Sequence, residues 1–427
     1  MVDDVALRAY YRAIAERPLP PGDPAYIQIY PQDSSDPVEK LATGVEWASN
    51  ESAQIFSGFR GSGKSTELMR LQERLSGRGY TVVYCDMEDY LNLTTPVDVS
   101  DFLLSTCGAL GEALANGPLK GRHFEREGYW TRIGAWMTKT NVVVDELGGD
   151  PYALKMSLKQ DPTFRQRLQE RMAGHLGALV TEARAWVQEC AKAVDGAHPG
   201  KPLVLLLDSL EHIRGTTVNA EDVARSLVTL FFGHADKLRF ANLHVVYSVP
   251  PWLKIKEPGI CARFDAAVQI PCVAVRDRGG HPDRSACDKL HAAVAARGPW
   301  ATLASDADRE RLVLASGGHL RDLLRLVRAV LVEQRGRDWP AGEAVVTASI
   351  RQVRQHYLPL AQSDMAWLAR VANTHTTQLQ DGTQLPDLAR YFDSLLVMTY
   401  QDGEEWWDVH PLVRDAVLAG APAPSGV

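Results

Sequence analysis

Residues 54–66 read Gln54-Ile55-Phe56-Ser57-Gly58-Phe59-Arg60-Gly61-Ser62-Gly63-Lys64-Ser65-Thr66, and their order decides the fold. An apolar strand candidate, Gln54 to Phe56, runs into G-x-x-x-x-G-K-[ST] at Gly58 to Thr66, and a helix candidate with Leu68, Leu71 and Leu75 on one face follows. In that context successive backbone N–H groups converge on a phosphate, and the helix adds the positive end of its dipole. Gly58, Gly61 and Gly63 let the backbone turn. Gly58, Phe59, Arg60, Gly61, Ser62, Gly63, Lys64, Ser65 and Thr66 are thus the expected phosphate cradle. Lys64 supplies a mobile charge for the β- and γ-phosphates, and the Ser65 hydroxyl is a ligand for Mg²⁺. The expected ligands are ATP or ADP with Mg²⁺.

Working outward, Thr81 to Cys85 is a β-branched strand, while Leu203 to Leu207 and Leu243 to Tyr247 are uninterrupted apolar runs of the kind a parallel strand has when both faces are buried. Residues 51–275 therefore read as an α/β domain. The stretch of about 100–198 within it has helical spacing, clearest from Phe164 to Val194, and reads as a helical insertion. Asp208 ends the Leu203 to Leu207 strand, where ligands bind in open α/β sheets, and is the expected second holder of Mg²⁺. Ser209 follows it where many ATPases place a Glu, so Glu211 is the nearest carboxylate able to orient an attacking water. Ser248 ends the next strand, placed either to touch the γ-phosphate or simply to form a turn.

Beyond residue 276, short helices broken by Gly279-Gly280, Gly298-Pro299 and Gly317-Gly318 read as a helical lid over 276–355. Over 356–415, helical segments lead to Leu395 to Tyr400, a turn at Gln401-Asp402-Gly403 and a strand at Trp406 to Val409, the pattern of a winged helix. Residues 1–50 form an N-terminal segment and 416–427 a Pro-rich tail expected to be disordered. The fold class is α/β: a P-loop NTPase parallel sheet of the ASCE/AAA+ type, with a helical lid and a C-terminal winged helix.

A chain of 427 residues with 45% hydrophobic and 23% charged side chains is neither disordered nor collagen-like. Its 46 Lys and Arg against 53 Asp and Glu, a net charge of −7, argue against a surface that grips phosphate backbones all over. Six dispersed cysteines with no C-x-x-C pair read as buried thiols. No signal-like or membrane-spanning apolar stretch occurs, so a cytoplasmic protein is expected.

Three stretches resemble the STAND class of P-loop ATPases, the switches that include the NACHT and NB-ARC groups, and more distantly AAA+ and origin-recognition ATPases. The first is the loop Gly58 to Thr66. The second, Asp208-Ser209-Leu210-Glu211, is similar to the NACHT Walker B, with its second acid three positions after the first. The third, Val409-His410-Pro411-Leu412-Val413-Arg414-Asp415, resembles the histidine motif of NB-ARC switches, with Pro411 where that family has Asp. The resemblance implies that His410 reaches the β-phosphate of ADP. Arg321, after Gly317-Gly318-His319-Leu320, is similar to the sensor-2 Arg that contacts the γ-phosphate, and Arg263-Phe264-Asp265 resembles the stretch that lends an arginine finger to a neighbouring AAA+ subunit.

What the resemblance implies is an ATP-hydrolysing switch that forms nucleotide-dependent homo-oligomers. The segments before residue 50 and after 415 are short for an effector or a sensor domain, so these are expected to be separate proteins, in a prokaryotic signalling or defence system. The competing reading is a DNA-remodelling AAA+ ATPase. Arg321, Arg325 and Arg328 share a helical face and Arg335, Arg337, Arg351 and Arg354 follow, a basic stripe for DNA or else a solvated face. The switch is the favoured reading.

Overall fold

The computed structural model describes residues 4–30, 35–122, 124, 128–140, 142, 151–216, 218–378 and 385–420. In chain order, helices α1 (Asp4–Ala13) and α2 (Pro37–Glu46) precede strand β1 (Ser52–Gly58), helix α3 (Lys64–Gly77) and strand β2 (Thr81–Asp86). Helices α4 (Val99–Asn116), α5 (Tyr129–Lys139), α6 (Pro151–Gln160), α7 (Pro162–Met172) and α8 (Leu176–Ala197) lead to β3 (Leu203–Asp208). Then come α9 (Ala220–Val228), β4 (Leu243–Val249), α10 (Leu253–Lys256) and β5 (Ala266–Ile270). Helices α11 (Arg284–Ala295), α12 (Asp306–Ala315), α13 (Leu320–Glu333), α14 (Glu343–Arg354), α15 (Gln362–Thr374) and α16 (Leu385–Asp393) precede the hairpin β6 (Val397–Asp402) and β7 (Glu404–Val409), and α17 (Pro411–Gly420) follows it. The chain divides into two compact units, one of Met1–Asp33, Gly58–Thr66 and Ile270–Val427, the other of Ser34–Ser57 and Glu67–Gln269.

The second unit is built on a five-stranded sheet in the order β2-β3-β4-β1-β5. β1 pairs with β4, β4 with β3 and β3 with β2, all parallel, with Ala53, Val245 and Leu205 in one row. Every residue of β1, β3 and β4 is buried, as the unbroken apolar runs require, whereas the edge strands β2 and β5 are buried only in part. With β4 inserted between the glycine-loop strand and the Asp208 strand, this is a P-loop NTPase sheet of the ASCE/AAA+ type.

Helix α4, inside the stretch read as an insertion, packs directly on β2 and on α8. It is N-capped by Asp98, whose carboxylate accepts from Ser100 N at 2.8 Å, and its Phe102 ring lies 5.8 Å from Phe231 and 6.0 Å from Tyr247. Glu112 on α4 accepts from Tyr90 Oη at 2.8 Å, Trp130 Nε1 at 2.7 Å and Lys155 Nζ at 2.7 Å, joining α4, α5 and α6. Burial would raise its carboxyl pKa, but the bonds from Lys155, Trp130 and Tyr90 outweigh burial and hold it below its ordinary value. The continuous helical pattern from Phe164 to Val194 is broken at Ala173-Gly174-His175, between α7 and α8.

The first unit has its core where α11 to α14 meet: Leu290, Val294, Leu312, Leu323 and Val327 pack with Tyr10 and Ile14 from the N-terminal segment. The hairpin pairs Val397 with Val409 across a turn at Gly403. Residues 416–420, expected to be part of a disordered tail, are the last turns of α17, because Leu412, Val413 and Val417 recur at helical spacing and are buried. The rest of the expected tail, 421–427, lies outside the described residues. Five of the cysteines are buried, but Cys261 is half-exposed, since its turn leads to the edge strand β5. Among the described residues no helix is long and apolar enough to cross a membrane.

The contact between α4 and α5 gives a sharp test. A methyl group at Gly108 would overlap the Trp130 ring. Gly→Ala inside a helix normally gains about 1 kcal/mol, whereas overpacking costs about 1–3 kcal/mol. Gly108→Ala is therefore expected to lower stability in urea by about 1 kcal/mol; a stabilised variant would contradict this packing.

Candidate functional site

The glycine loop belongs to the first unit. Gly61 and Gly63 have φ of +86° and +100°, which side chains other than glycine's rarely adopt, so the reversal between β1 and α3 depends on them. Lys64 is buried, and its Nζ donates to the carbonyls of Gly58 and Phe59, both at 2.8 Å. A phosphate oxygen is a stronger acceptor than a carbonyl, so this ammonium has a better partner to exchange for. Among the described residues, Ser62 Oγ is buried with no hydrogen-bond partner, and a Cβ placed on Gly63 would meet nothing within 4 Å. An ammonium, an unengaged hydroxyl, open space and the N-terminus of a 14-residue helix fit a polyphosphate. Two members of the predicted cradle also have packing tasks: Phe59 stacks on Phe392 at 5.9 Å, and Thr66 Oγ1 accepts from Leu19 N at 3.0 Å.

The loop backbone is held from α13. Arg321 N donates to Gly61 O at 3.3 Å, and a Cβ on Gly61 would come within 2.5 Å of the Arg321 Cβ. His319, at the N-cap of α13, places Nε2 2.9 Å from Arg60 O and Nδ1 2.7 Å from Asp322 Oδ2. An acceptor thus faces each ring nitrogen, and a ring with two N–H donors satisfies both. Asp322 Oδ2 also accepts from Tyr357 Oη at 2.5 Å and lies 3.3 Å from His410 Nε2. His410, fully buried under the Tyr357 ring at 4.4 Å, accepts from Leu412 N through Nδ1 at 3.2 Å, so its proton sits on Nε2, toward Asp322.

Charge follows from these contacts. Burial alone would raise the Asp322 pKa, but the charge of His319 and the bonds from His319 and His410 hold it far below the usual carboxylate range. Burial lowers the His410 pKa, and Asp322 only partly offsets that. Arg321 and Arg325 turn to Glu16, with Arg321 Nε 3.2 Å and Arg325 Nε 3.0 Å from its carboxylate, and Arg328 lies over the Tyr11 ring at 4.3 Å. Three arginines of the expected basic stripe are therefore engaged by the N-terminal segment.

In the second unit, Asp208 is fully buried at the end of β3, and its Oδ2 accepts from Tyr84 Oη on β2 at 2.5 Å. Burial and the Asp208 carboxylate push the Tyr84 phenol well above its ordinary pKa, so it stays a donor. Ser209 takes a left-handed φ of +67°, turning the chain sharply into Leu210–His212. That turn brings Glu211 Oε2 to Ser248 Oγ at 2.5 Å. Asp208, Glu211 and Ser248 thus gather at the C-terminal ends of β3 and β4. Arg263 lies apart, exposed on the turn Pro258–Arg263 with its guanidinium 4.7 Å from the Phe232 ring centre. Sequence reasoning missed Tyr84, His319, Asp322 and Tyr357; the His319-x-x-Asp322 spacing at a helix start was the one local signal available.

No family model matches the sequence, and no curated protein matches it. Among solved structures the chain is similar to the ORC2 protein of Aeropyrum pernix, at 13% identity over 96% of both chains with a TM-score of 0.41. It is likewise similar to Cdc6p of Pyrobaculum aerophilum, at 14% identity over 96% of both chains with a TM-score of 0.36. A Walker-type ATPase of Pyrococcus abyssi matches at 11% identity over 95% of this chain and 99% of that one, with a TM-score of 0.41. The fold and the glycine loop define a P-loop NTPase fold.

The Asp322 cluster makes stability depend on pH in a stated direction. Asp322 is depressed below 3.8 in the folded chain, so its contribution is present above about pH 4 and lost in stronger acid. His410 is depressed below 6.5, so protonation favours the unfolded chain and stability falls as pH drops below that value. Asp322→Asn is expected to cost about 3 kcal/mol at pH 7 and to flatten the acid loss below pH 4, measured by urea unfolding across pH. Wild-type stability and pH dependence in that variant would contradict the cluster.

Proposed function

We propose that this chain is an ATP-binding and ATP-hydrolysing switch of the STAND kind, whose nucleotide state sets the arrangement of its helical lid and C-terminal module. The observation that carries the reading is the path from Arg60 O through His319 and Asp322 to His410, with steps of 2.9, 2.7 and 3.3 Å. A loop backbone displaced by a γ-phosphate changes what His319 bonds, and Asp322 passes the change to the winged-helix module of α15, α16, the β6–β7 hairpin and α17. On this path His410 acts through Asp322, the indirect form of the role that the NB-ARC resemblance implies. The switch works only if its two arrangements differ in affinity for ATP and ADP; each tenfold difference shifts the balance by about 1.4 kcal/mol.

In the proposed site the Gly58 to Thr66 loop and Lys64 hold the phosphates, and Arg321 contributes to the γ-phosphate once it exchanges Glu16 for it. Ser65 and Asp208 would hold Mg²⁺, which neutralises charge developing on the phosphates. Glu211, positioned by Ser248, orients the attacking water. Arg263, exposed and preformed over Phe232, is proposed as the finger offered to a neighbouring copy in the nucleotide-dependent oligomer. The controlled effector, and the sensor, would be separate proteins of a prokaryotic signalling or defence system. DNA remodelling is the weaker reading, because Arg321, Arg325 and Arg328 are engaged by Glu16 and Tyr11.

Lys64→Ala is expected to lose binding of a fluorescent ATP analogue, and wild-type affinity there would end the nucleotide reading. Glu211→Gln should bind ATP normally yet hydrolyse it about a hundredfold more slowly. Sedimentation in ADP and in a non-hydrolysable ATP analogue tests the switch itself: identical mass and shape in both would overturn it.

A further inference from the structure

Helices α1 and α13 of the first unit leave a groove between them of about 290 Å³, lined by Leu7, Arg8, Tyr11 and Arg12 from α1, by Leu331 and Val332 from α13 and by Arg335 just beyond its end. On α1, Leu7 and Tyr11 form one line at i, i+4 spacing and Arg8 and Arg12 a second, while Leu331 and Val332 are adjacent near the end of α13. Leu331 is buried at the floor, Leu7 is half-buried, and Val332 stands 56% exposed at the lip. Arg12 and Arg335 are exposed, and no carboxylate is among the described lining residues. Tyr11 is held in place by Arg328, which covers its ring and donates to its hydroxyl at 2.7 Å.

We infer that this groove docks an acidic amphipathic helix of a protein partner. The exposed Arg12 and Arg335 guanidinium groups beside an apolar floor contrast with the chain's net charge of −7, and the complement of that pattern is a row of leucine-like side chains flanked by carboxylates. The volume admits about two large apolar side chains, the footprint of i and i+4 anchors on one helix. A nucleic-acid backbone needs the cations but not the apolar floor. A membrane surface is met by a broad face of protruding apolar groups, whereas here Leu331 is buried, Leu7 is half-buried and Val332 alone of the aliphatic lining residues is exposed. Planar guanidinium groups pair with carboxylates in bidentate fashion, which fixes the register of the incoming helix. None of the lining residues belongs to the glycine loop or to the Asp322 cluster, so the inference stands independently of the nucleotide reading.

The probe is a labelled amphipathic Leu/Glu helix of roughly 18 residues, compared with its Leu/Lys counterpart, by fluorescence anisotropy on the full chain. The Leu/Glu peptide is expected to bind saturably and the Leu/Lys peptide not. Arg12→Glu/Arg335→Glu should weaken the Leu/Glu peptide by at least about tenfold and accept the Leu/Lys peptide instead. Val332→Asp, at an exposed position, should weaken the Leu/Glu peptide while the urea midpoint stays unchanged. Equal binding of the Leu/Glu peptide by the wild type and both variants overturns the inference. So does its failure to bind the wild type, including the case in which duplex DNA or phosphatidylglycerol vesicles bind there and are lost in Arg12→Glu/Arg335→Glu.

Discussion

The solvation of one carboxylate, that of Asp322, governs how the first unit is put together. A carboxylate moved out of water costs several kcal/mol even after relaxation, and it is tolerated only when donors surround it. Arg325 Nη1 reaches Oδ1 at 3.4 Å, and three donors from separate places in the chain meet at Oδ2: His319 at the start of α13, Tyr357 after α14, and His410 ahead of α17. Each reaches the same oxygen, so none can move without leaving the charge underserved. Because His319 also holds Arg60 O, the geometry of the glycine loop is subject to the same demand. A structural charge and the proposed ligand loop are therefore coupled by shared hydrogen bonds.

The second unit solves a parallel problem at the end of β3. Asp208 is buried beside Tyr84, and Glu211 is buried beside Ser248. In each case a neutral hydroxyl donates to an acid, and His212 Nε2 lies 3.9 Å from the other Glu211 oxygen. Hydroxyl donors orient the acids and leave their charge intact. The left-handed Ser209 makes this arrangement geometrically available, because an extended residue in its place would carry Glu211 away from β4.

The strands and the glycine loop were legible in the sequence because their signals are local: a buried parallel strand is an apolar run, and a phosphate loop is a spacing of glycines and a lysine. The break between α7 and α8 was obscured because apolar periodicity persists through it. The end of α17 was hidden by the small residues Ala419 and Gly420, which look like a tail until Val417 is seen to be buried. What escaped altogether were side-chain partnerships across long separations. Asp322 and His410 are 88 residues apart, Tyr84 and Asp208 124, and Arg325 and Glu16 309. The last pair gives two arginines of the α13 row a counter-charge at residue 16, which nothing near them in the chain reveals.

The first unit is gathered from three pieces of chain, Met1–Asp33, Gly58–Thr66 and Ile270–Val427. The Arg60 carbonyl waits for His319, 259 residues further on. At a ribosomal pace of roughly 5–20 residues per second, the loop spends on the order of 10–50 s after emerging before His319 is made. During that interval the turn depends on its own glycines and on the lysine that bonds back to its carbonyls. The internal bonds of Lys64 to Gly58 and Phe59 thus acquire a second meaning, as a temporary clasp that keeps a nascent loop in shape until its distant supports are made.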